Sequence, residues 1–289
     1  MLSTNKIVNV KVMKTVVAVH DLSCYAKSSL TVVMPSLTAL GIEPVVLPTA
    51  LLSTQTDGFD NYLYEDLTKQ MRAILKHWFS LELSFDGIYS GFLGSQEQVK
   101  IVLDLIEYNR EKNSKSFVTV DPVLGDQGSV YGPVSSTLVE NMSFLVTQAD
   151  LITPNITEAA LLLKKSYDEN LNVKKAAAWA YELAKMGPRY VVITSVMNKK
   201  KGYVVAYDKT KDKIFTSHHN YVPMSFPGCG DLFASILTAM MVKEVPFGKA
   251  VRKSDELVSK AVALSWQYKR EQRRGIAVEF IIKDLTRLF

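Results

Sequence analysis

Cysteine is scarce in this 289-residue chain, which has only Cys24 and Cys229. Two thiols so far apart form neither a disulfide framework nor a metal-ligand spacing, and they fit a reducing compartment. Histidine is also rare, with four copies. The run His218-His219-Asn220 has no cysteine or acid at ligand spacing, so it reads as polar surface at a strand end and not as a zinc centre. No stretch of about 18 uncharged apolar residues occurs, which excludes a membrane-spanning helix. The N-terminus, Met1 to Lys14, is polar with scattered lysines and has no apolar signal core, so the expected location is the cytoplasm. There is no internal repeat, low-complexity tract or Pro/Gly-rich linker, and residues 1–289 are expected to form one domain. Charge of one sign is in slight excess, 34 basic against 29 acidic residues, or +5. Spread along the chain, that excess suits a small anionic ligand better than a nucleic-acid groove. The densest basic run, Lys269 to Arg274, reads as a solvated face late in a helix.

The chain does have a regular alternation of short β-branched runs and longer helical patterns. Strands are expected at Thr15 to Val19, Pro44 to Leu47, Gly87 to Ser90, Ser116 to Val120, Asp150 to Ile152 and Tyr190 to Thr194. Between them fall helical patterns at Ser28 to Leu40, Tyr64 to Phe79, Gln96 to Arg110, Ser135 to Val146, Glu158 to Leu163 and Val173 to Met186. Gly202 to Tyr207 and Lys213 to His218 read as an antiparallel pair, and the last quarter is helical. This order predicts an α/β fold, a mostly parallel central sheet with helices on both faces. Ligands in such sheets sit beyond the carboxyl ends of the strands. The loops to watch are therefore Asp21-Leu22-Ser23, Pro48-Thr49, Gly91, Asp121 to Gly132, Thr153 to Asn155 and Thr194-Ser195.

The sharpest local signal is Gly228-Cys229-Gly230-Asp231 opening a helix. Glycines there let backbone approach a ligand, and a helix N-terminus offers unpaired N–H donors and a positive dipole end, which suits a phosphoryl group. An aspartate at that place can accept the proton of an attacking hydroxyl. An ordinary Asp cap after a glycine loop has the same spelling. In Val120 to Tyr131 a strand ends in Asp121, Pro122 stiffens the exit, and a glycine-punctuated loop carries Asp126. Paired carboxylates at a strand end can hold Mg²⁺ through water, although Asp-Pro also starts routine turns. Asn155 and Glu158 have capping-box spacing, which capping alone explains. Thr194 and Ser195 place hydroxyls at an expected strand end.

Taken together, these segments resemble the ribokinase-like superfamily, and within it the pyridoxal (pyridoxamine) kinases, over nearly the whole chain. The resemblance runs from Asp21-Leu22-Ser23 through Leu47 to Ser53, Gly91 to Gly94, the Asp121 to Tyr131 loop and Thr153-Pro154-Asn155 with Glu158. It continues through Thr194-Ser195 and Gly228 to Asp231 with Phe233-Ala234-Ser235, and reaches the tail Gly275-Ile276 with Glu279-Phe280. It implies phosphoryl transfer from MgATP to the 5′-hydroxymethyl of pyridoxal, pyridoxine or pyridoxamine. It further implies that Ser23 and Thr49 lie at the pyridine ring, that Asp231 is the base, and that Gly228, Cys229 and Gly230 form the anion hole. Asp121 and Glu158 fall in its Mg²⁺ region and Asp126 and Tyr131 on a flap-like loop near the phosphates, with Asn155, Thr194 and Ser195 on ATP phosphates. A monovalent cation and a homodimer are further implications.

Cys24 and Ala26 stand where that family usually has glycine. A Cβ there restricts positive φ and narrows backbone approach. The nearest alternative is a hydroxymethylpyrimidine kinase of the same fold. That branch typically has a thiol where this chain has Asp231, and lacks the Gly125-Asp126 to Tyr131 pattern. A non-catalytic vitamer- or nucleotide-binding protein would have no use for a base.

Overall fold

The first strand, β1 (Lys14–Ser23), shows why the sheet is covered on both sides. Val16, Val17, Ala18 and Val19 are all fully buried, and successive strand residues point to opposite faces. Val17 and Val19 join one apolar core, while Val16 and Ala18 join the other. Both faces of the strand are therefore packed, as a parallel α/β sheet requires. The computed structural model describes residues 13–132, 134–198 and 201–289. Most of the polar N-terminal stretch, residues 1–12, lies outside them.

After β1 come α1 (Leu30–Ala39), β2 (Ile42–Leu52), β3 (Tyr64–Asp66), α2 (Thr68–Ser80), β4 (Gly87–Ser90), α3 (Gln96–Lys112) and β5 (Phe117–Val120). A small hairpin, β6 (Gly125–Asp126) with β7 (Ser129–Val130), precedes α4 (Ser136–Thr147), β8 (Leu151–Ile152), α5 (Ile156–Leu162) and α6 (Val173–Lys185). Strands β9 (Tyr190–Asn198), β10 (Lys201–Asp208) and β11 (Lys213–Asn220) follow, then α7 (Cys229–Val242), α8 (Phe247–Gln267) and, after two 3-10 turns, α9 (Ile282–Leu285). Among the described residues one sheet has the order β11-β10-β9-β8-β5-β4-β1-β2-β3. Its centre, from β9 to β2, is parallel, and β3, β10 and β11 add antiparallel edges. This is the layered sheet that the alternation predicts.

Three boundaries differ from the sequence reading. Tyr64 does not open a helix. It begins β3, which pairs with Leu52 at the far end of β2, and the amphipathic helix starts at Thr68. The tyrosine-rich run there fits a pleated edge strand as well as it fits a helix. Strand β9 extends past Thr194 to Asn198, so Thr194 and Ser195 lie inside the strand, opposite a register shift in β10 between Tyr203 and Val205. The basic run Lys269 to Arg274 is not a helix face, since α8 ends at Gln267 and Gln272–Arg274 forms a 3-10 turn.

Strand β1 connects to β2 on one side and pairs with β4 on the other, so the sheet order reverses at β1/β4. A crevice opens beyond the carboxyl ends of strands at such a switch point. His20 and Asp21 end β1 there, Gly91 follows β4, and Asp121 follows β5. Helix α7 packs against α1 and its N-terminus overhangs these ends.

Candidate active site

Gly228, at φ 84°, caps α7 in the left-handed region that favours glycine. A Cβ on it would press on Val32 and on the Lys27 carbonyl. Gly275 packs against the same carbonyl, Lys27 N–H donates to the Arg274 carbonyl, and Ile276 N–H donates to that of Pro227. The first loop, the glycine turn and the C-terminal turn thus brace one another. Gly230 differs: a Cβ there would have only Asp121 Oδ2 near it, at 3.8 Å. Packing does not demand this glycine, but the space a side chain would fill faces Asp121. Helical bonding in α7 begins with Leu232 N–H to the Gly228 carbonyl. The amides of Gly230 and Asp231 remain as free donors at the positive end of the helix.

Asp231 stands in that first turn with its side chain 13% exposed. Its Oδ2 accepts the Ser29 N–H at 2.8 Å, and its Oδ1 lies 3.7 Å from His20 Nδ1. Burial pushes the carboxyl up to about 7, and the nearby Asp121 and Asp21 carboxylates push the same way, while the Ser29 amide opposes them. A carboxyl in that range can hold or release a proton near neutrality. His20 is fully buried, neither of its ring nitrogens has a hydrogen-bond partner, and burial pulls it down to about 3. It is therefore a neutral imidazole, packed edge-on against Tyr89 and filling the space that Gly91 leaves open.

The second carboxylate group lies across the crevice. Asp121 accepts the Thr153 hydroxyl at 2.8 Å and is raised to about 6 by burial. Glu158 is almost fully buried, and its oxygens accept the N–H groups of Asn155 (2.8 Å) and Leu124 (3.2 Å). Burial first and Asp121 second hold its proton affinity well above the ordinary carboxylate range. The capping box read from Asn155 and Glu158 is present, and the same glutamate also ties down the start of the 124–131 loop. That loop is a two-residue hairpin whose turn residues, Gln127 and Gly128, both have positive φ. Asn155 Nδ2 holds the Gly125 carbonyl and Thr157 holds the Gly128 amide. Asp126 is raised by burial, and the hydroxyl of Tyr131 is disfavoured from ionising by burial and by Glu158, Asp126, Asp121 and Asp231 around it. The loop thus brings both carboxylate groups to one opening.

The remaining expected residues sit differently. Ser23 and Thr49 are fully buried, and their hydroxyls donate inward, to Asp21 Oδ2 at 3.2 Å and to the Phe92 carbonyl at 3.1 Å. Thr194 N–H donates to the Pro154 carbonyl, and the exposed Ser195 has φ 61°, a strained value for serine at the irregular point of β9. Cys229 is half-buried and its thiol is pushed up to about 12 by burial, so it stays a neutral thiol near pH 7. No group of three or more His, Cys, Asp or Glu side chains that could hold a metal occurs among the described residues. Asp121 and Glu158 nevertheless fit Mg²⁺, which takes one or two carboxylates and completes its shell with waters and phosphate oxygens. Neither acid has a Lys or Arg ion-pair partner among the described residues.

A family model described as phosphomethylpyrimidine kinase matches residues 25–275. The chain belongs to that family. A pyridoxine/pyridoxal/pyridoxamine kinase of Bordetella avium is 30% identical over 262 residues, 86% of this chain and 84% of the relative. The sheep pyridoxal kinase is also 30% identical, but over 54% of each chain. A Bacteroides thetaiotaomicron protein named for phosphomethylpyrimidine kinase, in a crystal form with pyridoxal, is 35% identical with a TM-score of 0.90, covering 94% of this chain and 96% of its own. Pyridoxal kinase from Lactobacillus plantarum has a TM-score of 0.85 at 26% identity, covering 94% and 96%. The fold is the ribokinase-like one that the sequence resembles.

Within this phosphomethylpyrimidine kinase fold, three residues near Asp231 escape a sequence reading. His20 lies at the end of an apolar strand where its side chain could be any buried filler. Ser29, at φ 48° and ψ −129°, has a backbone that favours glycine, yet serine carries no letter-level mark of it. Asp21 belonged to a legible motif, but nothing in its spacing placed it beside Asp231.

Proposed function

We propose that this chain transfers the γ-phosphoryl group of ATP to the 5′-hydroxymethyl of pyridoxal, pyridoxine or pyridoxamine, salvaging vitamin B6 as its phosphate. One observation carries the proposal: a buried carboxyl raised to about 7, Asp231, sits beside the free amides of a glycine-opened helix N-terminus. The pyridoxal-containing relative at 35% identity supports the choice of acceptor.

In this reading the acceptor hydroxyl lies against Asp231, which takes its proton as the oxygen attacks phosphorus. Charge on the transferring group spreads over its equatorial oxygens in a loose transition state, so fixed donors contribute more than covalent chemistry. The amides following Gly228 and Cys229 supply those donors. Asp121 and Glu158 would hold Mg²⁺, whose role when bound is to neutralise phosphate charge. Asp126 and Tyr131 cover the phosphates from the hairpin loop, and Asn155, Thr194 and Ser195 line the ATP side. Ser23 and Thr49 shape the floor under the ring. A cytoplasmic homodimer, with a monovalent cation near the phosphates, completes the reading.

The family's description names a phosphomethylpyrimidine kinase, and the second reading is accordingly a hydroxymethylpyrimidine kinase of the same fold. Asp231 in place of that branch's thiol, and the 125–131 hairpin, weigh against it. The test is mass-spectrometric detection of a phosphorylated vitamer from pyridoxal and MgATP. A purified enzyme that leaves every B6 vitamer unphosphorylated contradicts the proposal.

A further inference from the structure

Five carboxylates belong to this crevice, and four of them have a task in the proposed reaction: Asp231 handles the proton, Asp121 and Glu158 face the metal and phosphates, and Asp126 lies on the hairpin over the phosphates. Asp21 has none. It is 6% exposed at the end of β1, on the acceptor side of Asp231, and close enough to raise the proton affinity of that residue. No Lys or Arg side chain forms an ion pair with it among the described residues, and the nearest cation of the first loop, Lys27, is paired with Glu279. An acid in that position would ordinarily lose its charge.

Burial does raise its proton affinity, and the hydroxyls of Ser29 and Ser23 together with a backbone amide oppose that shift in favour of the carboxylate. Oδ1 accepts the Ser29 hydroxyl at 2.5 Å and Oδ2 accepts the Ser23 hydroxyl at 3.2 Å, while Ser28 Oγ donates to Ser23 Oγ at 3.3 Å. Ser29 holds its serine at a backbone conformation costing on the order of 1–3 kcal/mol. From there its hydroxyl reaches Asp21 and its amide reaches Asp231. With these two hydroxyls and its own backbone amide as donors, the carboxylate of Asp21 still has acceptor capacity to spare, since an ionised acid offers about four acceptor sites. Next to it, the fully buried His20 has both ring nitrogens without partners. The acceptor end of the site thus has spare acceptor capacity at Asp21, an unpartnered imidazole beside it, and no cation paired with either among the described residues.

We propose that Asp21 is a specificity residue of the acceptor pocket and binds a protonated nitrogen of the aromatic acceptor, either on its ring or on an aminomethyl arm. The inference rests on the B6-kinase reading and adds a charge preference to it. An acceptor bearing N–H⁺ supplies the counter-charge that this acid lacks, whereas a neutral one leaves its charge uncompensated. Breaking such a buried charge contact typically weakens binding by a factor of about 30 or more.

Equilibrium binding of pyridoxamine, pyridoxine and pyridoxal to the full chain, without ATP, tests this in wild type, Asp21→Asn and Asp21→Ser. Asparagine preserves shape and can still bond both serines, and thermal unfolding with MgATP binding confirms each variant's fold. If one variant fails to fold, the other gives the same reading. Expected is a rise of about 30-fold or more in the Kd of pyridoxamine. Pyridoxine and pyridoxal shift less than about 3-fold if the aminomethyl nitrogen is the contact. All three weaken together if it is the ring nitrogen, and an analogue with CH in place of that nitrogen then binds wild type and variants alike. Kd values within 2-fold of wild type for every vitamer, whatever happens to kcat, overturn the proposal and leave Asp21 as a support for Ser29. Wild type that binds no vitamer at all overturns the B6-kinase reading itself.

Discussion

Replacing Asp231 with asparagine separates the chemistry of this side chain from the energetics of burying it. The carboxyl moves from an ordinary 3.8 to about 7 on folding. At about 1.4 kcal/mol per tenfold change in proton affinity, the folded state opposes its ionised form by about 4 kcal/mol. A folded-state value above the unfolded one fixes the sign. The penalty is absent below pH 3.8, builds between 3.8 and 7, and is complete above that. Asparagine keeps the size and can accept the Ser29 N–H through its carbonyl oxygen, but it carries no charge. Asp231→Asn is therefore expected to exceed wild type in stability by about 4 kcal/mol at pH 8 and by only about 2 kcal/mol at pH 5. Turnover falls by about 10²–10⁴, the usual weight of a positioned base. Urea unfolding at the two pH values, with steady-state rates at pH 8, reads both. A variant no more stable than wild type at pH 8 refutes the electrostatic argument, and turnover within a few-fold of wild type removes Asp231 from the chemistry.

In wild type, kcat/KM should rise with pH through about 7 as Asp231 ionises, and Asp231→Asn should show no such limb; a limb that persists in the variant belongs to another group. Gly230→Ala meets only Asp121 Oδ2 at 3.8 Å, so stability stays level or gains up to about 1 kcal/mol from helix propensity, while turnover drops about 100-fold through misplaced phosphate. Full activity in that variant would mean no ligand approaches this turn. Glu158→Gln puts an amide NH₂ against the N–H of Asn155 or Leu124, costing about 1–3 kcal/mol of stability, and the Mg²⁺ requirement rises several-fold. Lost stability with an unchanged Mg²⁺ titration returns the residue to capping alone. Thiol titration should find one fast group, the exposed Cys24, and one slow group, Cys229. Cys24→Gly should then alter pyridoxal affinity selectively if the thiol lies near the aldehyde, and equal effects on all vitamers assign it to loop geometry.

Much of the architecture was legible because burial on both faces leaves unbroken apolar runs, such as Val16 to Val19, between amphipathic stretches. Strand β10 shares that burial, whereas β11 alternates exposed and half-buried residues at the edge of the sheet. What the letters concealed were outcomes of tertiary pairing. Tyr64 to Asp66 became a strand because β2 offers an open edge at Ala50 to Leu52. Thr194 and Ser195 stayed inside β9 because β10 continues to pair beyond them. At the site, the glycine turn and the Asp121 to Tyr131 loop could be read locally, since turn chemistry and strand ends are written in adjacent residues. The contacts of Ser29 with Asp21 and Asp231 could not, because one spans 8 positions and the other 202. Buried polar groups such as His20 carry no periodic signal at all.

The central claim is that this crevice phosphorylates a B6 vitamer. Its most direct test is a one-pot competition of pyridoxal, pyridoxine, pyridoxamine and hydroxymethylpyrimidine with limiting MgATP, resolved by chromatography and mass spectrometry. The account predicts 5′-phosphorylated vitamers as the main products, with hydroxymethylpyrimidine phosphate a minor one at most. Hydroxymethylpyrimidine phosphate as the dominant product, or ATP left unconsumed beside all four acceptors, would contradict it.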